Sequence, residues 1–281
     1  MKHDVVVYSA HYNPKLDRVL RAFAYGIPRS LNARIGDMRR PVQSKYAVIF
    51  GLVKNSYKPT HLKKPIIDLV GIENTIVLES AFVLRKKYFA AGFGGIHGGA
   101  DFKSDGKPLD RWKLMEVDVQ PWQRRPEGYM LVCGQLPRDT NVQNTDHIGW
   151  CQKVVRYYRK IGVPVLFRPH PRSDDPMVYE ISPDLLDTNK KISQSLSKAR
   201  AVVTWNSTSG IDAMLAGVPV IAQGQDSMAG LIASLDLDPD KLIYPDRTPL
   251  LAKIGYAQWT LREMMDGLAW KHLMGNWNGE K

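Results

Sequence analysis

Three short polar segments of this chain carry residue types suited to holding an anion. Asn206-Ser207-Thr208-Ser209-Gly210 lies between an apolar run, Val202–Trp205, and an amphipathic stretch, Ile211–Ala216. A helix start offers unpaired N–H groups and a partial positive charge, and with hydroxyl donors and a small residue beside it, it suits a phosphate or diphosphate. The alternative is that Ser207 or Thr208 simply caps the helix. Arg168-Pro169-His170-Pro171 offers a guanidinium and an imidazole, with two prolines holding His170 stiffly. Gly134-Gln135 adds an amide that both donates and accepts. Candidates for proton transfer stand apart from these, at Glu79, at Asp101 and at His11. His97 and Asp101 lie in a glycine-rich stretch, Gly92–Phe102, with five glycines in eight residues. That stretch lets the backbone approach a ligand or move, but it matches neither a Walker A sequence nor a dinucleotide fingerprint. A lone loop His or Asp can equally fix turn geometry.

The elements that must position these groups read as an α/β chain. Val5–Tyr8, Tyr46–Leu52, Ile66–Val70 and Thr75–Leu78 read as strands, and Leu16, Val19, Leu20, Phe23 and Ala24 recur at helical spacing before Gly26. After a Pro- and Arg-containing stretch, Val119–Gly128, a second series begins. It has strands at Tyr129–Cys133, Val163–Phe167, Ala201–Trp205 and Val218–Ala222, and helices at Ile148–Lys160, around Ile192–Ala199 and at Ile211–Ala216. Met228–Leu235 and Ala257–His272 read as further helices. Gly134-Gln135, Arg168–Pro171 and Asn206–Gly210 each follow a strand. In a parallel sheet the carboxyl ends of the strands line one edge, so all three could face one ligand. By the same rule His11 follows the first strand and Glu79 ends the fourth.

Composition bounds the function. The 281 residues are 44% hydrophobic, enough for real cores, and hold two cysteines, Cys133 and Cys151, which give neither a disulfide framework nor a zinc site. No apolar run approaches the roughly 18 residues of a membrane span, and the amino terminus lacks a signal-peptide core, so a cytoplasmic protein is expected. The net charge of +11 is one-sided: residues 1–125 hold 22 Lys+Arg against 11 Asp+Glu, and residues 126–281 hold 17 against 17. Such asymmetry suits a polyanionic partner for the first part; the alternative is a solvated basic surface. Arg85-Lys86-Lys87, with Gly95 and His97 from the glycine-rich stretch and Lys103 just after it, are the expected acceptor contacts.

The second half resembles the bacterial capsule polysaccharide biosynthesis glycosyltransferases, the group containing the β-Kdo transferases. That family shows a strand running into Gly-Gln, a later (Lys/Arg)-Pro-His-Pro, and a Thr-x-x-Ser-x-x-Gly-x-(Asp/Glu)-Ala-x-x-x-Gly-x-Pro-Val segment. Here they correspond to Gly134-Gln135, Arg168–Pro171 and Thr204–Val220, in the same order. The resemblance implies a GT-B fold, two Rossmann-like domains with an interdomain cleft. Residues 1–125 would form a basic acceptor-binding domain and 126–281 a nucleotide-sugar-binding domain, with the last helix able to pack back on the first. It implies a UDP- or CMP-sugar as donor substrate, no tightly bound cofactor and no metal. Ser207 and His170 become donor-phosphate contacts, in the company of Gly134, Gln135, Arg168, Asn206, Thr208, Ser209, Gly210 and Asp212. In the first half the family's Glu-x-Gly-Phe corresponds to Glu79-Ser80-Ala81-Phe82, and in the second half its Tyr-Ala-Gly-Trp-Gly, after the Pro-Val strand, corresponds to Ser227–Leu231, with departures in both.

The expected chemistry is glycosyl transfer: the acceptor hydroxyl loses a proton as it attacks the anomeric carbon, and fixed donors stabilise the leaving phosphate. Glu79 ranks first as base, then Asp101, then His11. For the acceptor, the basic first half favours DNA carrying hydroxymethylated bases, as for a phage enzyme acting in the host cytoplasm, with the Gly92–Asp101 loop reaching a flipped base. The alternatives are a capsule or other surface polysaccharide, and a non-catalytic nucleic-acid or nucleotide-binding module.

Overall fold

The computed structural model describes residues 3–52, 62–137, 139–142, 145–173 and 175–275. In chain order the strands are β1 (His3–Tyr8), β2 (Ala33–Gly36), β3 (Ser44–Phe50), β4 (Thr75–Ser80), β5 (Tyr88–Phe93), β6 (Tyr129–Cys133), β7 (Val165–Arg168), β8 (Ala199–Thr204), β9 (Val220–Ala222) and β10 (Gln258–Thr260). The helices are α1 (Pro14–Tyr25), α2 (Lys63–Val70), α3 (Asp110–Lys113), α4 (His147–Lys160), α5 (Ile192–Leu196), α6 (Ser209–Leu215), α7 (Thr248–Ala257), α8 (Leu261–Met265) and α9 (Leu268–Leu273). The chain divides into two compact units, residues 1–115 with 251–281, and residues 116–250.

The first unit is built on a six-stranded sheet in the order β10-β5-β4-β3-β1-β2. The strands β2, β1, β3 and β4 are parallel, and β5 and β10 extend the sheet antiparallel. Val5, Val7, Val48, Ile76 and Leu78 bury one face against α1 and the C-terminal helices, through Leu20, Phe23 and Trp270, with Trp259 of β10 in the same core. On α1, Asn13 caps the first turn by accepting from the Lys15 and Leu16 N–H groups, and Pro14 takes the position where no N–H is needed.

Three expectations fail here for identifiable reasons. Ile66–Val70, read as a strand, lies in helix α2 and buries Ile66 and Val70, four residues apart; a short apolar run does not separate the two states. The stretch Ala257–His272 is not one helix. Gln258–Thr260 pairs with β5, Thr260 and Glu263 form a capping box that starts α8, and Gly267 at φ 76° breaks the remainder. The run Met228–Leu235 is helical only over Met228–Leu231, as a single 3₁₀ turn. In addition, Gly92 and Phe93 belong to β5, where Phe102 packs so closely on Gly92 that a Cβ there would meet its ring at 2.8 Å.

The second unit holds a four-stranded, wholly parallel sheet in the order β7-β6-β8-β9. Met130, Val132, Phe167, Ala201 and Val203 face α4, which supplies Cys151, Val154, Val155 and Tyr158. Residues 116–125 belong with this unit rather than with the first 115. Gln120 and Gln123 donate backbone hydrogen bonds to Leu215 and Gly217, and Trp122 Nε1 donates to Pro245 O at 2.9 Å. Residues 251–281 belong with the first unit, whose core encloses Trp259 completely. The observed division sets the first boundary at 115 instead of 125 and returns the chain to the first unit from 251.

Candidate functional site

In the second unit Cys133, Arg168 and Thr204 stand in one row across three neighbouring strands. The loops after β6, β7 and β8 consequently leave the sheet side by side at its carboxyl edge. The first and third clasp each other. Gln135 Nε2 donates to Asn206 Oδ1 at 2.9 Å, the Asn206 N–H donates to Gln135 Oε1 at 3.2 Å, and Asn206 Nδ2 donates to Asn141 O at 3.0 Å. Both side chains are buried. The backbone of Gln135 is held as well: its N–H donates to His147 Nε2 at 2.9 Å and its carbonyl accepts from the Tyr179 hydroxyl. Gln135 and Asn206 therefore frame the edge, with their amide groups engaged between the two loops. Gly134 is required by packing, since a Cβ would lie 2.7 Å from the Phe167 ring.

The Asn206–Gly210 turn satisfies its own donors. The N–H of Ser207 goes to Thr204 Oγ1 at 3.1 Å, that of Ser209 to Ser207 Oγ at 3.2 Å, and those of Gly210, Ile211 and Asp212 to the carbonyls of Ser207 and Thr208. Thr208 stands at the N-cap position without a side-chain cap bond. The expected cradle of helix N–H groups is thus largely closed, and Ser207 and Thr208 offer hydroxyls at a partly exposed position. Gly210 is there for packing, with Ala229 Cβ 3.0 Å from where its Cβ would be. Ser209 is buried and Asp212 sits half-buried in the first turn of α6.

Arg168 and His170 take opposite roles. The Arg168 guanidinium turns inward, donating to Asp187 Oδ2 at 2.5 Å, Asn189 O at 2.9 Å and Lys190 O at 3.3 Å. The Asp187 side chain is fully buried. Arg168 is therefore spent on an internal ion pair instead of facing a donor phosphate. His170 is half-buried, and its Nδ1 accepts from the Arg172 N–H at 3.1 Å. Burial, reinforced by the Arg172 charge and opposed by Asp139, holds the imidazole below its ordinary pKa. The ring is neutral at neutral pH, and the proton falls to Nε2, which makes it a hydrogen-bond donor.

Asp139, not singled out from the sequence, carries a charge that acts on both His170 and His147, and its Oδ1 accepts from the Asn141 N–H at 3.2 Å. Its place four residues after Gln135, on the loop from the central strand, was the available signal.

In the first unit the carboxyl ends of β1, β3 and β4 share an edge. His11 is exposed there, with Nδ1 3.0 Å from Ser9 Oγ, and Ser9 donates to Asp17. With the Ser9 hydrogen engaged by Asp17, Oγ accepts from Nδ1–H. Glu79 Oε1 accepts from the Ser80 N–H at 2.7 Å. A small recess brings Glu79 together with Phe82, Gly95, His97 and Phe102. His97 adopts φ 52° and packs edge-on to Phe82. The exposed turn Arg85-Lys86-Lys87 follows β4 at the same edge.

Asp101 and Lys103 lie elsewhere. Asp101 pairs with Phe93, level with Ile76 at the amino end of β4, and forms an exposed 2.6 Å ion pair with Lys103. That places the second-ranked base several rungs from Glu79. Two basic residues of the first unit are also not surface charges. Arg111 is buried, donates to Glu263 at 2.8 Å and stacks on Trp259, and Lys63 is buried beside Glu79. Among the described residues no group of three or more His, Cys, Asp or Glu is arranged for a metal ion, and no helix is long and apolar enough to cross a membrane.

Residues 184–250, which include the Asn206–Gly210 turn, match the family model described as capsule polysaccharide biosynthesis protein. Two solved structures from Thermosulfurimonas dismutans resemble the whole chain. KpsC, beta Kdo 2,7 transferase, has a TM-score of 0.53 at 15% identity, covering 94% of this chain and 98% of the other. KpsC, beta Kdo 2,4 transferase, has a TM-score of 0.57 at 15% identity, covering 92% and 90%. This chain shares its fold with the β-Kdo transferases. No curated protein matches it in sequence. The mixed α/β fold with parallel sheets and the capsule-synthesis-like segment agree with the resemblance read from the sequence; the two solved transferases add that the likeness in fold extends over the first unit as well.

Proposed function

We propose that this chain is a sugar-nucleotide-dependent glycosyltransferase of the capsule polysaccharide type, acting in the cytoplasm, with the two units serving as the halves of a GT-B enzyme. The observation that carries this reading is the row Cys133–Arg168–Thr204, from which three loops set the Ser207 and Thr208 hydroxyls and the His170 ring at one sheet edge. In the reaction the bond from the anomeric carbon to the phosphate oxygen breaks and a bond to the acceptor oxygen forms. The acceptor proton passes to Glu79, and the departing nucleotide is stabilised by Ser207, Thr208 and His170 Nε2–H. His11 is the alternative base.

The fold likeness favours a CMP- or UDP-sugar and a glycan acceptor. A second reading, hydroxymethylated DNA as acceptor, draws on the exposed basic residues Arg39, Arg40 and Arg85–Lys87 at the ends of β2 and β4. Titration calorimetry with CMP and UDP, followed by transfer assays with CMP-Kdo, tests the main reading; binding of neither nucleotide at millimolar concentration would refute it. Duplex binding across a salt series tests the second, which requires affinity that falls steeply with salt.

A further inference from the structure

We propose that Lys63 is a positioning residue for Glu79, the two forming a charged pair built into the carboxyl edge of the first sheet. The inference rests on the reading of Glu79 as the base.

Lys63 sits where a lysine is disfavoured twice over. It is only 4% exposed, and it is the first residue of α2, where the helix dipole opposes a cation. Its neighbour Lys64 shows the ordinary arrangement, an exposed 2.6 Å pair with Asp68 one turn along. The burial of Lys63 must be offset by specific partners. Its Nζ donates to the carbonyls of Phe50 and Gly51, which close the end of β3.

Carbonyls supply partial charge only, and the full countercharge is Glu79. The register pairs Phe50 with Leu78, so Gly51 and Glu79 come next on the two strands. A Cβ on Gly51 would lie 3.4 Å from Glu79 Oε2 and 3.5 Å from Lys63 Nζ, so the carboxylate and the ammonium flank the same point. Oε1 of Glu79 accepts from the Ser80 N–H, and Oε2 lies on the side of the Lys63 ammonium. Both favour the ionised carboxylate, the form a base must have before it accepts a proton. Burial lowers the Lys63 pKa to about 8 while the Glu79 charge opposes that shift, as such a pair requires.

The test uses the full chain with 15N-labelled lysine. The Lys63 ammonium signal is followed through a pH titration in the wild type and in Glu79→Gln. Loss of the countercharge is expected to lower the Lys63 midpoint by about one unit, tenfold in proton affinity; an unchanged midpoint would overturn the pairing. No substrate enters this measurement, so its outcome is independent of whether the chain transfers sugar. For the catalytic consequence, Lys63→Met is assayed for turnover of CMP-Kdo with water as acceptor. A fall of roughly tenfold in kcat with unchanged affinity for CMP is expected. Wild-type kcat in that variant would show that Lys63 does not act through Glu79. If wild-type protein turns over no CMP-Kdo, it is the functional reading that fails, while the titration still decides the pair.

Discussion

Replacing Asp187 with alanine should destabilise the second unit severely, and the size of the effect follows from what Arg168 would lose. The Asp187 side chain is fully buried and accepts from Arg168 at 2.5 Å, from Ser195 Oγ at 2.5 Å and from Asn189 Nδ2 at 2.8 Å. Without it the guanidinium, 13% exposed, keeps only the Asn189 and Lys190 carbonyls and the Ser195 hydroxyl. Breaking a buried pair on one side costs about 3–5 kcal/mol, and the surviving contacts set the expectation near 3 kcal/mol. For a unit of this size that is a fall in Tm of roughly 10 °C. Calorimetry at pH 7 measures it. Removing both charges, in Arg168→Met/Asp187→Leu, should recover most of the loss, because no unpaired charge remains. A single-variant loss under about 1 kcal/mol, or a double variant no more stable than the single, would refute the argument. The pH dependence has a fixed sign. Burial pushes the Asp187 carboxyl up, but hydrogen bonds from Ser195, Arg168 and Asn189 more than offset it and hold the group below the ordinary value. Its contribution is present above the ordinary aspartate pKa and is lost as pH falls below it.

Three further outcomes are expected. Ser207→Ala removes a hydroxyl donor and deprives the Ser209 N–H of its acceptor, so CMP or UDP affinity by calorimetry should weaken about tenfold; unchanged affinity would exclude the turn from the donor site. Glu79→Gln should abolish transfer and leave nucleotide affinity intact, and near-normal turnover would reassign the base, with His11 next to be tested. His147 and His272 are buried and held neutral, each with its pKa lowered to about 4, chiefly by burial. Unfolded histidine binds its proton near 6.5, so the stability these groups contribute is complete above that value and is lost between about 6.5 and 4, on the order of 2–3 kcal/mol each. Denaturation at pH 7 and pH 4.5 checks this, and His272→Phe should lessen the acid loss.

How much of the fold could be read in advance depended on how the strands were covered. Val5–Tyr8 and Tyr129–Cys133 are buried on both faces and stand out as unbroken apolar runs in the sequence. β2 leaves no mark in the sequence, because Ala33-Arg34-Ile35 is exposed at the edge of the sheet and carries no pattern. β10 was hidden for a different reason. Gln258-Trp259-Thr260 sits between two helical stretches, and its pairing with β5 joins residues about 170 positions apart. The buried side chain of Gln258 accepts from the Phe82 and Val83 N–H groups, tying the chain just beyond Glu79 to that distant strand. No local window of sequence holds that information.

At the donor edge the residue types were legible and their directions were not. Arg168-Pro169-His170 reads as two phosphate ligands on one loop. Yet Arg168 is the last residue of β7, and its direction is set by the strand, toward the segment that brings Asp187 against it. His170 lies past Pro169, beyond the ladder, and is free to take its orientation from the Arg172 N–H. Of two groups chosen by the same argument, one fixes the loop and the other is presented by it. The same division separates Gln135 and Asn206, which hold each other, from Ser207 and Thr208, which they hold in place. If that division is right, substitutions at Asp187, Gln135 and Asn206 should move stability first and nucleotide affinity second, whereas His170→Ala should move affinity at near-native Tm. An Arg168→Lys variant that kept full stability while losing nucleotide affinity would break it, because lysine cannot span Asp187 and both carbonyls as the guanidinium does.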